Sequence, residues 1–403
     1  MEIASQQVES HLHPKPSFDV ADFPMPTGRE EVWRFAPLPR FAELLTEPPT
    51  DFADIQMTLQ APVGVTLSTL GVGVGVRGSV LLPVDRVSVL AAKVSQARHI
   101  RIADAVRLTE PIVITVTGKG ERAAEHIVIE SGVASEAIIV VEHRGSAVFC
   151  GNIEVVVKDA AKITVVSVQD WAPDALHGGM HAAAVGTDAQ YRHVMMTFGG
   201  DAVRIQNSVY YTGSGGNAEL YGLYFADAGQ YQEHRLSVDQ NAAHTTSYVD
   251  YRGALQGKGA HTVWVGDVFI RRQAVGISSY EANKNLVLTD GCRADSVPNL
   301  EIETGNIKGA GHSSTTGRFD DNQLFYLMSR GLSSSEAKRL VIQGFFYDII
   351  RRIGIAELEE RLKTHVDAEL AKTIDRAETS LCPPPLPEQL RHEAPQPQIE
   401  KQE

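Results

Sequence analysis

His312 is the residue whose surroundings best suit chemistry. Gly309, Ala310, Gly311, Ser313 and Ser314 flank it, so a neutral imidazole there could reach a metal or a partner group with little steric hindrance. A lone histidine in a small-residue loop more often has no special role. Cys292, in TDGCRADSVP, could act as a thiolate ligand, but it has no CxxC partner and a quiet, half-buried thiol is the default. Cys150 reads as core. His177 and His181 have the i, i+4 spacing of a zinc helix, yet Gly178, Gly179 and Met180 lie between them. The glutamate of that motif is missing and helix propensity is poor, so both are expected in a loop. His193, His234, His244 and His261 fall in β-type sequence, where solvent-facing or satisfied core positions are the default.

Phosphate chemistry finds no support. Gly73, Gly75 and Gly78 match G-x-G-x-x-G, but SVLLPV follows instead of a helix, which makes them turn residues. From Gly311 to Arg318 five residues rather than four separate the glycines, and Arg318 stands where a phosphate loop needs lysine. No nucleotide site is expected. The acidic pair Asp320 and Asp321 reads as a helix start favoured by the dipole, not as a glycosidase couple.

The elements that must hold these residues follow from composition and period. In 403 residues, 43% hydrophobic and 22% charged, there is room for a large core with appended domains. A net charge of -13 argues against nucleic acid. No run approaches the roughly 18 apolar residues of a membrane helix. MEIASQQVESHLHPKPSF lacks signal or transit character, and three widely spaced cysteines suit reduced thiols; a cytoplasmic location is expected.

Residues 1–50 read as a loose leader and a small helical cap around Val32, Trp33, Phe35 and Leu38. Residues 51–318 are a succession of β-type segments, among them HIVIE (126–130), AIIVVE (137–142), IEVVVK (153–158) and TVWVGDVFI (262–270), with no convincing helix between them. Recurrent strand-turn units without helices suggest a sandwich, a propeller or a solenoid; irregular turn spacing weakens the propeller, and a solenoid, which tolerates it better, would need caps at its ends. Residues 319–375 turn helical: Leu324, Phe325, Leu327 and Met328 mark one helix, Gly331 ends it, and Ser333 with Glu336 forms a capping box for the next. There Leu340, Val341, Phe345, Ile349 and Ile353 make an apolar stripe. Residues 376–403, rich in Pro and Glu, are expected to lack structure.

The stretch NLEIETGNIKGAGHSSTTGRFDDNQLFYLMSRGL from Asn299, followed by EAKRLVIQGFF, resembles the SufD branch of the SufB/SufD family, subunits of the SUF iron-sulfur cluster assembly complex. EHRLSVDQNAAHTTSYVDYRGALQGKG from Glu233, NKNLVLTDG from Asn283 and EEVWRFAPL around Trp33 extend it over nearly the whole chain, most strongly from about 230 to 350. The resemblance implies a mainly β protein, a right-handed parallel β-helix flanked by N-terminal and C-terminal helical regions. It also implies a non-enzymatic scaffold that pairs with SufB through the β-helix and binds the SufC ATPase through the C-terminal helices, here Leu340, Phe345, Phe346 and Ile349. His312 matches the family's histidine at the SufB interface, where iron or a transient iron-sulfur cluster is expected; Cys292 is the secondary candidate, and reduced flavin is a further expectation for the whole complex.

Two departures matter. The family often has Cys two residues before this histidine, and Ala310 stands there. SufB carries its cysteine nine residues before the position of Cys292, which is Asn283 here, and has glutamate where this chain has histidine near the junction; the SufD branch therefore fits better than a SufB-type scaffold, and a homodimeric scaffold that uses the SufB-type surface on itself stays as an alternative. The rival outside the family is a stand-alone β-solenoid carbohydrate-active enzyme using paired carboxylates.

Overall fold

A computed structural model describes residues 14–48, 52–318, 321–353, 356, 359–364, 366–368, 370 and 371. The expected leader before residue 14 and tail after residue 375 lie outside these, as does Asp320. The chain forms two compact units, Met1–Asp320 and Asp321–Glu403.

In the first unit, α1 (Leu38–Leu45), β1 (Gln56–Gln60), β2 (Val65–Gly71), α2 (Arg86–Ala92) and β3 (Gln96–Ile102) lead into two long strands, β4 (Ile112–Glu130) and β5 (Glu136–Val157). Then come β6 (Lys162–Trp171), β7 (Leu176–Val185), β8 (Gln190–Thr197), β9 (Ala202–Tyr211), β10 (Asn217–Ala226) and β11 (Tyr231–Gln240). β12 (Thr246–Leu255), β13 (His261–Ile270), β14 (Ser278–Val287), β15 (Arg293–Ile302) and β16 (Gly309–Arg318) complete it. Even strands from β6 to β16 stack in parallel, odd strands from β5 to β15 do the same, and β5 is long enough to join both stacks. The result is a parallel β-solenoid of about eight turns, at roughly 30 residues per turn. Its interior is apolar over most of its length, with Val165, Leu220, Val249, Trp264 and Val268 among the inward side chains.

The recurring turns are the corners of this solenoid. Ala105, Ala134, Ala160, Asp188 and His244 all take φ between 51° and 58°, and each backbone N–H donates to a carbonyl of the next turn, as Ala160 does to Thr187. Small or Asx-type residues tolerate this left-handed backbone best. Turn lengths differ between rungs without disturbing the ladder, which accounts for the irregular spacing in the sequence.

Three expectations are corrected. HIVIE, AIIVVE and IEVVVK are not separate short strands: the first closes β4, and the other two are the halves of β5. A helix does interrupt the β region: RVSVLAA forms α2, started by Asp85, whose side chain accepts from Ser88 N–H while the Ser88 hydroxyl accepts from Asp85 N–H. The N-terminal helical segment does not plug an end. Trp33, Phe41, Leu44 and Leu45 pack with Cys150, Ala202, Tyr231, Val263 and Val265 on the outer face of the odd-strand stack. A parallel sheet apolar on both faces needs that cover. The first end is instead closed by β1 antiparallel to β4 and β2 antiparallel to β3.

In the second unit, α3 (Asp321–Ser329) ends at Gly331, whose φ is 99°. α4 (Ser334–Ile353) opens with the expected capping box: Ser333 N–H donates to Glu336 Oε2 at 2.8 Å and Glu336 N–H to Ser333 Oγ at 3.2 Å. Ala337, Ile342, Phe346, Ile349 and Ile350 of α4 are buried in this unit, as are Leu362, Val366 and Leu370 beyond that helix.

Candidate functional site

His312 lies in β16, not in a loop. Its neighbours are poor strand formers, and the register with β14 supplies the backbone partners that propensity does not. Among the described strands β16 pairs with β14 alone and β15 with β13 alone, so this end of the solenoid presents two open edges.

Alternation along β14 turns Ser279, Glu281, Asn283 and Asn285 inward, all four buried. Opposite them stand Ala310, His312, Ser314 and Thr316. His312 Nδ1 lies 3.9 Å from Glu281 Oε1; the imidazole is 40% exposed and the carboxyl 2%. That Oε1 has no hydrogen-bond partner. Burial, and then the charge of Asp267, push the Glu281 carboxyl up to about 8. Gly266 makes the room: a Cβ there would stand 2.4 Å from Glu281 Oε2.

Beside this pair, Asn283 donates to the Tyr224 hydroxyl at 2.7 Å and to Tyr251 O at 3.2 Å, and accepts from Asn285 at 2.8 Å and from Ser296 Oγ at 2.6 Å. Asn285 donates further to Thr316 Oγ1 at 3.3 Å. Cys292 is not joined to this network. It is half-buried in the turn before β15, where its Sγ contacts Gly257 O at 3.3 Å and Thr289 Oγ1 at 3.5 Å.

The other histidines are largely interior. His177 and His181 are buried in β7, correcting the loop expectation. His181 Nδ1 and His193 Nε2 are 3.0 Å apart, Asn207 Nδ2 lies 3.0 Å from His193 Nδ1, and His234 Nε2 lies 2.9 Å from Thr197 Oγ1. Burial drives His143 down to about 4 and His193 and His234 down to about 3, with His177 and His181 well below the usual range. These are neutral packing imidazoles. Among the described residues no group of three or more His, Cys, Asp or Glu is placed to hold a metal ion. Any metal at His312 therefore needs donors from elsewhere, and imidazole with carboxylate suits iron.

The helical unit sorts its apolar residues into two sets. Phe346 and Ile349 are wholly buried within it, Phe345 is half-buried and Leu340 is exposed. Phe325, Tyr326 and Met328 of α3 are exposed as well. Asn322, Gln323, Tyr326, Leu327 and Val341 line a shallow groove of about 370 Å³ between α3 and α4. Of the four residues expected to face a partner, Leu340 and Phe345 can do so, and Phe346 and Ile349 hold the unit together. Sequence reasoning missed Glu281; its signal is an acidic residue in the inward phase of SSYEANKN.

Residues 114–345 match the family model described as SUF system FeS cluster assembly, SufBD core domain. The iron-sulfur cluster assembly SufBD family protein Rv1462 of Mycobacterium tuberculosis is 46% identical over 374 residues, covering 91% of this chain and 94% of that protein. The SufBD family protein ML0594 of Mycobacterium leprae is 45% identical over 373 residues, covering 90% and 95%. A second M. leprae SufBD family protein, ML0593, is 26% identical over 211 residues, which span 52% of this chain and 24% of that protein.

Proposed function

The chain belongs to the SufBD family of the SUF iron-sulfur cluster assembly system, and from that premise we propose that it is a SufD-type scaffold. It pairs with a SufB-type chain through the open edges of β15 and β16, and it binds a SufC-type ATPase through the helices that follow. Iron or a nascent cluster is cargo, held transiently with His312 as one donor and the partner chain supplying others. The chain itself performs no catalytic step.

The observation that carries this reading is the pair of M. leprae relatives. One organism holds two SufBD chains, and this sequence matches one over 90% of its own length and the other over 52%, as expected of one member of a heteromeric pair. Asn283 adds to it: at the position where the resemblance puts the SufB cysteine, a buried amide is tied into four hydrogen bonds and offers no thiol. His312 is half-exposed beside an unpaired strand edge, where a partner's side chain could complete its coordination. Exposed Phe325, Tyr326, Met328 and Leu340 give the helical unit an apolar surface of the kind that a partner covers. The alternative of a carbohydrate-active enzyme has no support in the family match.

Co-expression with the SufB-type and SufC-type proteins of the same organism tests the proposal. The expected result is a complex holding all three chains and a changed SufC ATPase rate. A chain that purifies alone, or as a homodimer that ignores both proteins, overturns it.

A further inference from the structure

The geometry points to Glu281 as the positioning residue of His312: its buried carboxyl accepts the imidazole Nδ1–H, fixes that tautomer and leaves Nε2 as the donor offered to the metal. This rests on the reading of His312 as an iron donor and names the group that prepares it.

Four observations converge on the pair. Glu281 and His312 are register partners on β14 and β16, so their side chains rise from the same face. Glu281 is almost wholly buried and its Oε1 has no hydrogen-bond partner, a costly arrangement for packing alone. The nearest ring nitrogen is His312 Nδ1, at 3.9 Å; a swing of about 1 Å by the half-exposed ring brings the two to hydrogen-bond distance. The glycine at position 266 keeps open the space that the carboxyl occupies.

The chemistry follows from the tautomers. A histidine that ligates through Nε2 must carry its proton on Nδ1, whereas free imidazole side chains in water favour the Nε2–H form. A carboxyl oxygen accepting from Nδ1 reverses that preference and holds the ring plane, and loss of such a partner typically weakens metal binding 10–100-fold.

The test uses the full chain with 15N-imidazole histidine, read by long-range 1H–15N spectra, and Co2+ as the metal probe for the chain paired with its SufB-type partner. The His312→Ala variant identifies the His312 signals. In the wild type His312 is expected in the Nδ1–H form. In Glu281→Leu it reverts towards Nε2–H, and Co2+ affinity falls about 10–100-fold. Glu281→Gln, which keeps an acceptor, restores much of both. Since Oε1 has no hydrogen-bond partner to lose, Glu281→Leu is expected to fold with little loss of thermal stability, which excludes a general structural effect.

An unchanged His312 tautomer in Glu281→Leu overturns the proposal, and so does an unchanged Co2+ affinity in that variant. The underlying reading fails separately: if His312→Ala binds Co2+ as the wild type does, His312 is not the donor, and the tautomer measurement still decides what Glu281 does.

Discussion

Acidification of this solenoid has a cost that can be assigned to single residues, and His234 is the clearest case. It is buried, lies 2.9 Å from Thr197 Oγ1 through Nε2, and stacks on Tyr224 with ring centroids 4.9 Å apart. An unfolded imidazole titrates near 6.5, and burial brings this one down to about 3. A group whose folded pKa is depressed contributes stability that is present above the unfolded value and lost as pH falls towards the folded one. From pH 7 to pH 5 the unfolded chain takes up the proton and the folded chain does not. At ~1.36 kcal/mol per pH unit below 6.5, the loss is about 2 kcal/mol.

Glutamine at 234 does not titrate and can keep a hydrogen bond to Thr197, so His234→Gln should lose about 2 kcal/mol less than the wild type over the same interval. Urea unfolding at both pH values measures this difference of differences, in which the constant cost of the substitution cancels. Glu281, whose raised pKa acts in the opposite direction over this range, is common to both proteins and cancels too. Equal losses in the two proteins would refute the account of a neutral interior imidazole.

The N-terminal cover is held by a buried ion cluster: Arg204 Nη1 lies 2.5 Å from Asp85 Oδ2, its Nε lies 3.3 Å from Glu233 Oε2, and its guanidinium sits 4.0 Å over the Trp33 ring. Arg204→Met removes the cation shared by two buried carboxylates, leaving Glu233 with Arg235 and Asp85 with only the Ser88 cap, and should cost roughly 3 kcal/mol in urea unfolding; a loss under ~1 kcal/mol would contradict this. Burial pushes the Cys150 thiol up to about 12, so with Cys382→Ser in the background iodoacetamide should label Cys292 in the native protein and Cys150 only after denaturation. Labelling of both at similar rates would show that the solenoid opens at α1. The double change Phe325→Asp with Leu340→Asp should weaken SufC-type binding at least tenfold in a pull-down titration while the helical unit stays folded; Phe346→Ala should instead destabilise that unit by about 3–5 kcal/mol. Unchanged binding in the double variant would move the docking surface elsewhere.

Much of the fold could be read from local pattern, and the failures have physical causes. Strands such as TVWVGDVFI announce themselves by β-branched and aromatic content, and Gly331, Ser333 and Glu336 mark the helix boundary because their backbone chemistry is local. GAGHSSTTGR does not read as a strand, since its structure comes from the ladder with β14, a long-range effect. RVSVLAA is short and carries two valines, so it does not stand out as a helix, and the Asp85–Ser88 cap makes it one. The destination of the N-terminal cover depends on which sheet face is apolar, visible only once Tyr231, Val263 and Val265 are seen to point outward together. His312 was accessible through its small neighbours and the family resemblance. Glu281 became visible only when register placed it opposite His312.

The central claim, that His312 helps a paired scaffold take up iron, is tested most directly by the iron and sulfide content of the anaerobically reconstituted three-protein complex. With His312→Ala, the complex should assemble at wild-type yield and carry clearly less iron and sulfide. Full loading in that variant would contradict the account and leave His312 a packing residue at the end of the solenoid.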